Sequence, residues 1–427
     1  MTSECFVYIT LPEQTEPVTA GKFVLTKNRQ GISLGKFIYG KSYLSRPDAV
    51  AFDPVELKLV DKTYETVALK GVFGALRDAG PDYWGRRIIE RHAGKAELGE
   101  LDYLLNSPDD GAGALGFGLN VTPPAPKRTF NQTLDLAKLQ EIADIIVRDE
   151  GLPARGAEVQ ALDLMLAGTS MGGARPKAVV EDKDGLWLAK FNRPDDKWNA
   201  ARVEHAMLVL ARSCGLHSAE SKLTTIGDRD ALLVKRFDRE KTETGYTRAR
   251  MISALTLLQT EDTHQSRDKW SYVLLVEELR RASARAQDDA QELFRRMVFN
   301  ALISNNDDHP RNHALLAKDK EWRLSPAYDL TPAPLISQER RDLALICGDY
   351  GRIATAQNML SQARRFMLDP DEAENIVKAM MNTVQYNWHK ILRSAGVSEQ
   401  DCATLAGAFV YSGFFSDEIS SVRILLG

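Results

Sequence analysis

A polar run of eight residues, Asn305 to Asn312, interrupts an otherwise apolar part of the chain. Apolar residues lead into it at helical spacing, at Phe294, Met297, Val298, Ala301 and Leu302. The apolar segment 313–317 follows and predicts a strand, and a second short strand is predicted at 322–324. The pattern therefore predicts that Asp307 and Asn312 lie in a loop between helix and strand, with Asp329 just past a hairpin.

This arrangement suits phosphoryl transfer, which needs one carboxylate near the acceptor hydroxyl, and an amide and a second carboxylate to hold magnesium. The spacing from Asp307 to Asn312 is that of the catalytic loop of protein kinases, and Asp329 follows where their metal-binding aspartate stands. Two features differ: no His-Arg pair precedes Asp307, and Tyr-Asp-Leu replaces Asp-Phe-Gly. The alternative interpretation is a plain polar turn, because Asn, Asp and Pro are common loop residues.

Composition sets the outer limits. A chain of 427 residues, 44% hydrophobic and 27% charged, can bury a large core and predicts about two or three domains. The net charge of −4 argues against general nucleic-acid binding. The four cysteines are far apart, without the paired spacing of zinc or redox sites, and are predicted to be buried in a reducing compartment. No signal peptide and no apolar run of roughly 18 residues is found, so we expect a cytoplasmic protein without a membrane partner.

Turn residues and the proline-rich stretch 123–128 suggest three regions. Residues 1–125 are predicted as a β-rich subdomain, with strands at 6–9, 23–25 and 34–39 and a basic helix over 82–92 that ends at Gly94. Residues 126–238 carry a helix over 136–146, a helix over 158–167 and a glycine-rich stretch that opens a hairpin. Residues 239–427 are predicted to be mainly helical, including a helix that starts at Asp369-Pro370 and runs towards Gly396.

The glycine-rich stretch, 168–177, would let backbone N–H groups approach phosphate oxygens, since glycine has no Cβ in the way. It matches neither the Walker nor the Rossmann pattern. Lys190 follows on the second hairpin strand, where kinases place a phosphate-binding lysine. On the next predicted helix, Glu204 would either pair with Lys190 or be an ordinary surface residue. The apolar strand 231–234 then runs into a charged segment that would suit a hinge, where backbone groups could meet an adenine edge.

Four motifs, in this order and spacing, resemble those of the HipA-family serine/threonine kinase toxins. They are Ser170-Met-Gly-Gly-Ala-Arg-Pro-Lys177, Lys235-Arg-Phe-Asp-Arg239, Asn306-Asp-Asp-His-Pro-Arg-Asn312 and Ser325-Pro-Ala-Tyr-Asp329. The resemblance extends roughly from the segment 82–87 to the final helices. It implies an α+β, two-lobed, protein-kinase-like fold with a β-rich N-terminal region, a mostly helical C-terminal lobe, and ATP and Mg²⁺ between the lobes.

The resemblance also implies roles for individual residues. Asp307 would be the catalytic base, Asn312 and Asp329 would hold the metal, and Lys190 would contact the phosphates. The remaining nucleotide-binding residues would be Gly172, Gly173, Ala174, Arg175 and Lys177 above the phosphates, Lys235, Arg236 and Phe237 at the adenine, and His309 and Tyr328 close to the nucleotide.

Ser170 occupies the position at which family members autophosphorylate, although a serine there would also serve as a loop or capping residue. Arg175-Pro176 replaces the Gln-Glu of better-studied members. Proline lacks a backbone donor, so this loop cannot hold phosphate in quite the same way.

By resemblance, the chain would be the toxin of a toxin–antitoxin pair. It would phosphorylate a translation component such as an aminoacyl-tRNA synthetase, autophosphorylate, and bind a HipB-like helix-turn-helix antitoxin that alone contacts operator DNA. Two alternatives stay open: a catalytically weak, kinase-shaped binding module that acts as corepressor, and a small-molecule kinase. The presence of the base, both metal ligands and the lysine favours the active protein kinase.

Overall fold

The computed structural model describes residues 3–95, 97–148, 175–334 and 337–415. Ser170, Gly172, Gly173, Ala174 and the helix predicted over 158–167 lie outside the described residues. The chain divides into two compact units. The first unit comprises Met1–Asp195, Thr224–Glu261 and Ala314–Trp322, and the second comprises Asp196–Leu223, Asp262–His313 and Arg323–Gly427.

Fifteen strands occur in the described residues. They are β1 (Glu4–Thr10), β2 (Pro17–Lys27), β3 (Ser33–Tyr39), β4 (Thr63–Thr66), β5 (Leu115–Gly118), β6 (Asn131–Gln132), β7 (Lys177–Asp182), β8 (Gly185–Phe191), β9 (Ser221–Ile226), β10 (Arg229–Lys235), β11 (Arg239–Lys241), β12 (Tyr246–Arg248), β13 (Arg250–Ser253), β14 (Ala314–Ala317) and β15 (Arg323–Leu324).

The α-helices of the same residues are α1 (Lys41–Leu44), α2 (Gly74–Ala79), α3 (Tyr83–Ala93), α4 (Glu100–Leu105), α5 (Leu136–Arg148), α6 (Ala200–Ser213), α7 (Ala254–Leu257), α8 (Tyr272–Ala282), α9 (Ala286–Leu302), α10 (Ala356–Leu360), α11 (Pro370–Ser394) and α12 (Glu399–Leu405). Short 3₁₀ turns connect several of them, including His264–Lys269 and Pro310–Asn312. None of the described helices combines the length and apolar character that a membrane crossing requires.

The first unit contains one five-stranded sheet and most of a second, of which β9 belongs to it only from Thr224 onwards. One has the order β4-β3-β2-β1-β5 with antiparallel neighbours, and the predicted strands at 6–9, 23–25 and 34–39 lie within β1, β2 and β3. Its core is aromatic: Phe37 packs at 4.8 Å from Tyr39 and at 5.2 Å from Phe52, between ring centroids. In the same unit, β13 pairs with β14 antiparallel.

The second sheet has the order β6-β7-β8-β10-β9 and carries the predicted hairpin, β7 and β8, which turns at Asp184-Gly185. Gly185 has a φ of 120°, a conformation that glycine adopts without the strain a Cβ would add. The apolar faces of α3 and α5 cover this sheet, with Trp84, Ile88, Leu139 and Ile142 among the buried residues. Both helices agree with the helices predicted from the sequence over 82–92 and 136–146.

The basic helix predicted over 82–92 is α3, and its ends follow capping chemistry. The Asp82 carboxylate accepts a hydrogen bond from the Gly85 N–H at 2.8 Å, and Gly94 ends the helix with a φ of 62°.

The second unit is mainly helical, as predicted for the later part of the chain. The long helix α9 is its buried centre, with Phe294, Met297 and Val298 fully covered and Phe294 edge-on to Phe366 at 5.4 Å. Helix α11 begins at Pro370, where a missing N–H costs nothing, and packs against α6 and α9. The four cysteine thiols of the chain are buried and unbridged, as expected.

Candidate active site

The polar run follows directly after helix α9, and a tight turn joins the two. The helix ends at Leu302, and Ser304 follows with a positive φ of 55°. The Asn305 side-chain amide donates to Asn300 Oδ1 at 3.0 Å, and the Asn305 backbone N–H donates to the Asn300 carbonyl at 2.8 Å. Both asparagines are buried. Their amides therefore replace the helical hydrogen bonds lost at the turn and fix where the loop begins.

Asp308 fixes the loop through buried hydrogen bonds. Its buried carboxylate accepts hydrogen bonds from the Tyr272 hydroxyl and from His313 Nε2, the latter at 2.9 Å. Asn300 Nδ2 donates to the Tyr272 oxygen at 3.0 Å, which ties this network to α9. Burial and the charge of Asp308 raise the pKa of Tyr272 well above its ordinary value, so the hydroxyl keeps its proton. This role of Asp308 could not be predicted from the sequence.

Asp307, in contrast, is exposed. The surrounding protein reduces the hydration of its carboxylate and raises its pKa, and the negative charge of Asp329 raises it further. His309 and Arg267 act in the opposite direction. The structure thus brings together the two aspartates that the sequence selected, close enough for their charges to interact.

Asn312 ends the short turn Pro310–Asn312 within the same loop. Its Nδ2 donates to the Asp307 carbonyl at 3.3 Å, so the side-chain oxygen is directed away from that contact. An amide oxygen and carboxylate oxygens are ligands that Mg²⁺ accepts, and magnesium in phosphoryl-transfer sites uses one or two protein carboxylates beside the substrate phosphates. In the described ranges no group of three or more His, Cys, Asp or Glu residues forms a closed metal site. The donor set of Asn312 and Asp329 fits magnesium shared with a nucleotide.

The segment that carries Asp329 is held by backbone pairing. The Ala327 N–H donates to the His217 carbonyl at 2.7 Å, and the Ala327 carbonyl accepts from the Ala219 N–H at 2.9 Å. The Tyr328 hydroxyl donates to the Arg311 carbonyl at 2.5 Å, which joins this segment to the loop. Asp329 itself has a φ of 58°, a left-handed conformation that is uncommon outside glycine and often marks functional sites.

His309 is held on three sides. Its Nε2 lies 2.7 Å from Asp262 Oδ1, and its Nδ1 accepts a hydrogen bond from the Arg311 N–H at 3.1 Å. Its ring stands edge-on to Trp270 with a centroid distance of 4.3 Å. Sequence reasoning found His309 but missed Asp262, which lies 47 residues upstream in no recognisable motif.

The predicted nucleotide-binding lysines lie in the first unit. Lys190 is buried on β8, directly opposite Lys177 on β7, so the two side chains share one face of the sheet. The Lys177 ammonium donates to the carboxylate of Asp82 at 2.7 Å, and both groups are almost fully buried. Lys177 therefore takes part in an internal ion pair with the cap of α3. Glu204, on α6 in the second unit, is 4% exposed and so is not a surface residue.

The segment after β10 is built around a buried ion cluster. The Arg236 guanidinium donates to Asp110 Oδ1 at 2.7 Å and to both carboxylate oxygens of Asp238, at 3.0 and 2.8 Å. Arg239 also donates to Asp238, at 2.7 Å. Burial opposes the charge of Asp238, but the two guanidinium groups outweigh it and hold its pKa well below the ordinary value. The Arg236 side chain is thus fully engaged, whereas Lys235 and Phe237 are half-buried.

Comparison with known proteins identifies a matching family model, a similar solved structure and two similar curated relatives. The family model described as the HipA-like C-terminal domain matches residues 169–388. A chain of the solved complex of the Shewanella oneidensis MR-1 toxin–antitoxin proteins HipA and HipB with operator DNA superposes with a TM-score of 0.67. That match has 15% identity and covers 95% of this chain and 94% of that one. The predicted fold class, α+β and HipA-like, is confirmed.

Two curated relatives that are similar to this chain carry the name of a kinase. Y4dM of Sinorhizobium fredii is 30% identical over 165 residues, which cover 35% of this chain and 38% of the relative. A Haemophilus influenzae protein is 23% identical over 232 residues, which cover 47% of this chain and 65% of the relative. The chain therefore spans less than two thirds of either relative.

Proposed function

Because the chain belongs to the family of proteins with a HipA-like C-terminal domain, we propose that it is an ATP- and magnesium-dependent serine/threonine protein kinase. The observation that carries this proposal lies in the second unit, where the loop with Asp307 and Asn312 and the separate segment with Asp329 are each ordered by their own contacts. A polar turn without a function would not need the buried hydrogen-bond network of Asp308, Tyr272 and His313 that supports this loop.

Asp307 is the catalytic base in this proposal. Its carboxylate is exposed, so an acceptor hydroxyl can reach it, and its raised pKa makes it a better proton acceptor than an ordinary aspartate. Asp308, next in sequence, does not suit this role, because it is buried and its Oδ2 already accepts from Tyr272 and His313. The loop thus offers one carboxylate for chemistry and uses the other for structure.

Asn312 and Asp329 would hold Mg²⁺, which neutralises phosphate charge when it is bound with nucleotide. Asn312 is oriented by its hydrogen bond to the Asp307 carbonyl, and Asp329 by the backbone pairing of the preceding residues. His309 and Tyr328, both fixed by hydrogen bonds in the same unit, would lie close to the nucleotide.

In the first unit, Lys190 would contact the phosphates, since a charged donor on a sheet strand is well fixed for that purpose. At the adenine, the segment Lys235 to Phe237 would act through its backbone, because the Arg236 side chain is bound by Asp110 and Asp238. Gly172, Gly173, Ala174 and Arg175 keep their proposed place above the phosphates. Lys177 could bind phosphate only if it gave up its ion pair with Asp82. We therefore assign Lys177 primarily a structural role.

The proposed biological role is that of a toxin in a toxin–antitoxin pair in the cytoplasm. The similar solved structure is described as a complex with HipB and operator DNA, which supports a HipB-like helix-turn-helix partner for this chain. A translation component such as an aminoacyl-tRNA synthetase is the proposed protein substrate, and Ser170 the proposed autophosphorylation site.

The proposal is tested with purified protein, γ-labelled ATP and Mg²⁺, using a cell lysate as the source of acceptor proteins and phosphoamino-acid analysis of the product. Phosphoserine or phosphothreonine is expected with the wild type. Asp329→Ala should lose both transfer and metal-dependent nucleotide affinity. Label found only in small molecules, or an Asp329→Ala variant as active as the wild type, would contradict the proposal. Phosphoproteomics after induction, wild type against Asp307→Ala, would then identify the substrate.

A further inference from the structure

A single carboxylate outside the polar run contacts two side chains within it. Asp262 Oδ1 lies 2.7 Å from His309 Nε2, and Asp262 Oδ2 lies 3.3 Å from Arg311 Nε. The side chains of His309 and Arg311 are 21% and 28% exposed, and that of Asp262 is 48% exposed. The Asp262 carboxylate thus links His309 and Arg311 at the exposed surface of the loop, whereas Asp308 holds the loop through buried contacts.

The contacts of His309 define its tautomer. Nδ1 accepts a hydrogen bond from the Arg311 backbone N–H at 3.1 Å, so Nδ1 carries no proton. The proton is therefore on Nε2, which donates it to Asp262. A carboxylate on one ring nitrogen commonly fixes what the other nitrogen can do. Here the other nitrogen caps the turn Pro310–Asn312, for which His309 is the N-cap residue.

That turn carries the contacts on which the proposed chemistry depends. Asn312, its last residue, donates to the Asp307 carbonyl at 3.3 Å. The Arg311 carbonyl accepts from the Tyr328 hydroxyl, next to Asp329. Displacement of the turn would therefore move Asn312 directly and release one restraint on the segment that precedes Asp329.

We propose that Asp262 is a positioning residue for phosphate transfer: it holds His309 in the Nε2–H tautomer and thereby keeps the turn Pro310–Asn312 in the geometry that binds magnesium nucleotide. Asp262 acts through His309 and Arg311 and does not contact the reacting atoms. This inference rests on the proposed kinase function for the role of Asn312, but the His309 tautomer is a property of the protein alone.

Three variants test it. Asp262→Ala removes both contacts, and Asp262→Asn keeps one acceptor oxygen for His309 while presenting a donor to Arg311. Asp268→Ala, in the exposed turn His264–Lys269, is the matched control. The readouts are the ¹⁵N chemical shifts of the His309 ring in metal-free protein, calorimetric affinity for ATP with Mg²⁺, and thermal unfolding.

For Asp262→Ala we expect ring shifts that indicate mixed tautomers and a roughly tenfold or greater loss of magnesium-dependent ATP affinity, the usual effect of removing an outer-shell partner. Asp262→Asn should fall between Asp262→Ala and the wild type, and Asp268→Ala should match the wild type. Because the contacts are half-exposed, the unfolding temperature should change little.

Identical His309 shifts in Asp262→Ala and the wild type would overturn the proposal, as would equal ATP affinities in Asp262→Ala and Asp268→Ala. The proposed kinase function fails separately. If the wild type binds ATP and magnesium but transfers no phosphate, that function is contradicted, while altered His309 shifts and affinity in Asp262→Ala would still support Asp262 as the residue that positions the turn Pro310–Asn312 for magnesium nucleotide.

Discussion

Two adjacent aspartates in the polar run, Asp307 and Asp308, have different properties because their environments differ. Asp308 is buried, and its Oδ2 accepts two hydrogen bonds within the protein. Asp307 is exposed, yet reduced hydration and the charge of Asp329 raise its pKa. Paired titratable groups with divergent environments are typical of sites that perform acid–base chemistry.

The raised pKa of Asp307 gives a pH prediction. The carboxylate is the active form, so transfer should fall as pH falls through a midpoint above the ordinary aspartate value of about 3.9. Asp329→Asn removes a negative charge and should lower the Asp307 midpoint, as measured by the carboxyl ¹³C shift in metal-free protein. An Asp307 titration at or below the ordinary value, or one that Asp329→Asn leaves unmoved, would contradict this electrostatic account.

At the scale of elements, the β7–β8 hairpin places two lysines directly opposite each other, Lys177 and Lys190. Like charges in this position repel unless an acid compensates. For Lys177 an acid is supplied by Asp82, the cap of α3, through a buried contact of 2.7 Å. The hairpin and the helix are therefore joined by an ion pair as well as by apolar packing.

Lys177→Met should destabilise the protein by about 3–5 kcal/mol, because it leaves the Asp82 charge buried without this partner. Lys183→Met, in the exposed hairpin turn, should stay within about 0.5 kcal/mol of the wild type. Urea unfolding at neutral pH measures both. Equal unfolding midpoints for the two variants would show that the Lys177–Asp82 pair is not needed for the fold.

Lys190→Met should instead weaken ATP binding, as expected for a residue that contacts phosphate. The loss of a charge-assisted hydrogen bond corresponds to about 1.5–3 kcal/mol, so the ATP affinity should drop at least about tenfold. Lys183→Met again provides the control, with calorimetry as the measurement. If both variants bind ATP equally well, the phosphate-binding lysine lies elsewhere.

Several elements could be predicted from sequence because their signals are local. The helix predicted over 82–92 is Tyr83–Ala93, and the helix predicted to begin at Asp369-Pro370 is Pro370–Ser394. Pairings between distant segments could not be predicted. Arg236 meets Asp110 across 126 positions, and His309 meets Asp262 across 47. Periodicity and capping residues do not encode such contacts, which depend on how the chain folds back.

At the scale of the whole molecule, each of the two units is assembled from three segments of the chain. Asp307, Asn312 and Asp329 belong to the second unit, and Lys190 and the segment after β10 to the first. The loop could be predicted because the spacing from Asp307 to Asn312 is that of a kinase catalytic loop. The buried supports of that loop, Asn300, Tyr272 and His313, carry no such spacing, so only the structure identifies them.

Ser170 provides a prediction about the control of the whole chain. A phosphate there adds about −1.5 to −2 charges at neutral pH, which would oppose binding of a nucleotide triphosphate in the same loop. We expect mass spectrometry of protein incubated with ATP and Mg²⁺ to find phosphate on Ser170, and the modified protein to bind ATP much more weakly. Asp307-dependent phosphate elsewhere, with Ser170 unmodified, would contradict this form of regulation and leave the kinase proposal intact.

The central claim is that Asp307 performs the chemistry while Asn312 and Asp329 serve the metal. The most direct test is phosphate transfer by purified Asp307→Ala, alongside its calorimetric affinity for ATP with Mg²⁺. Transfer should fall at least about a hundredfold, as for loss of a general base, while nucleotide affinity stays near that of the wild type. Retained turnover in Asp307→Ala would contradict the account.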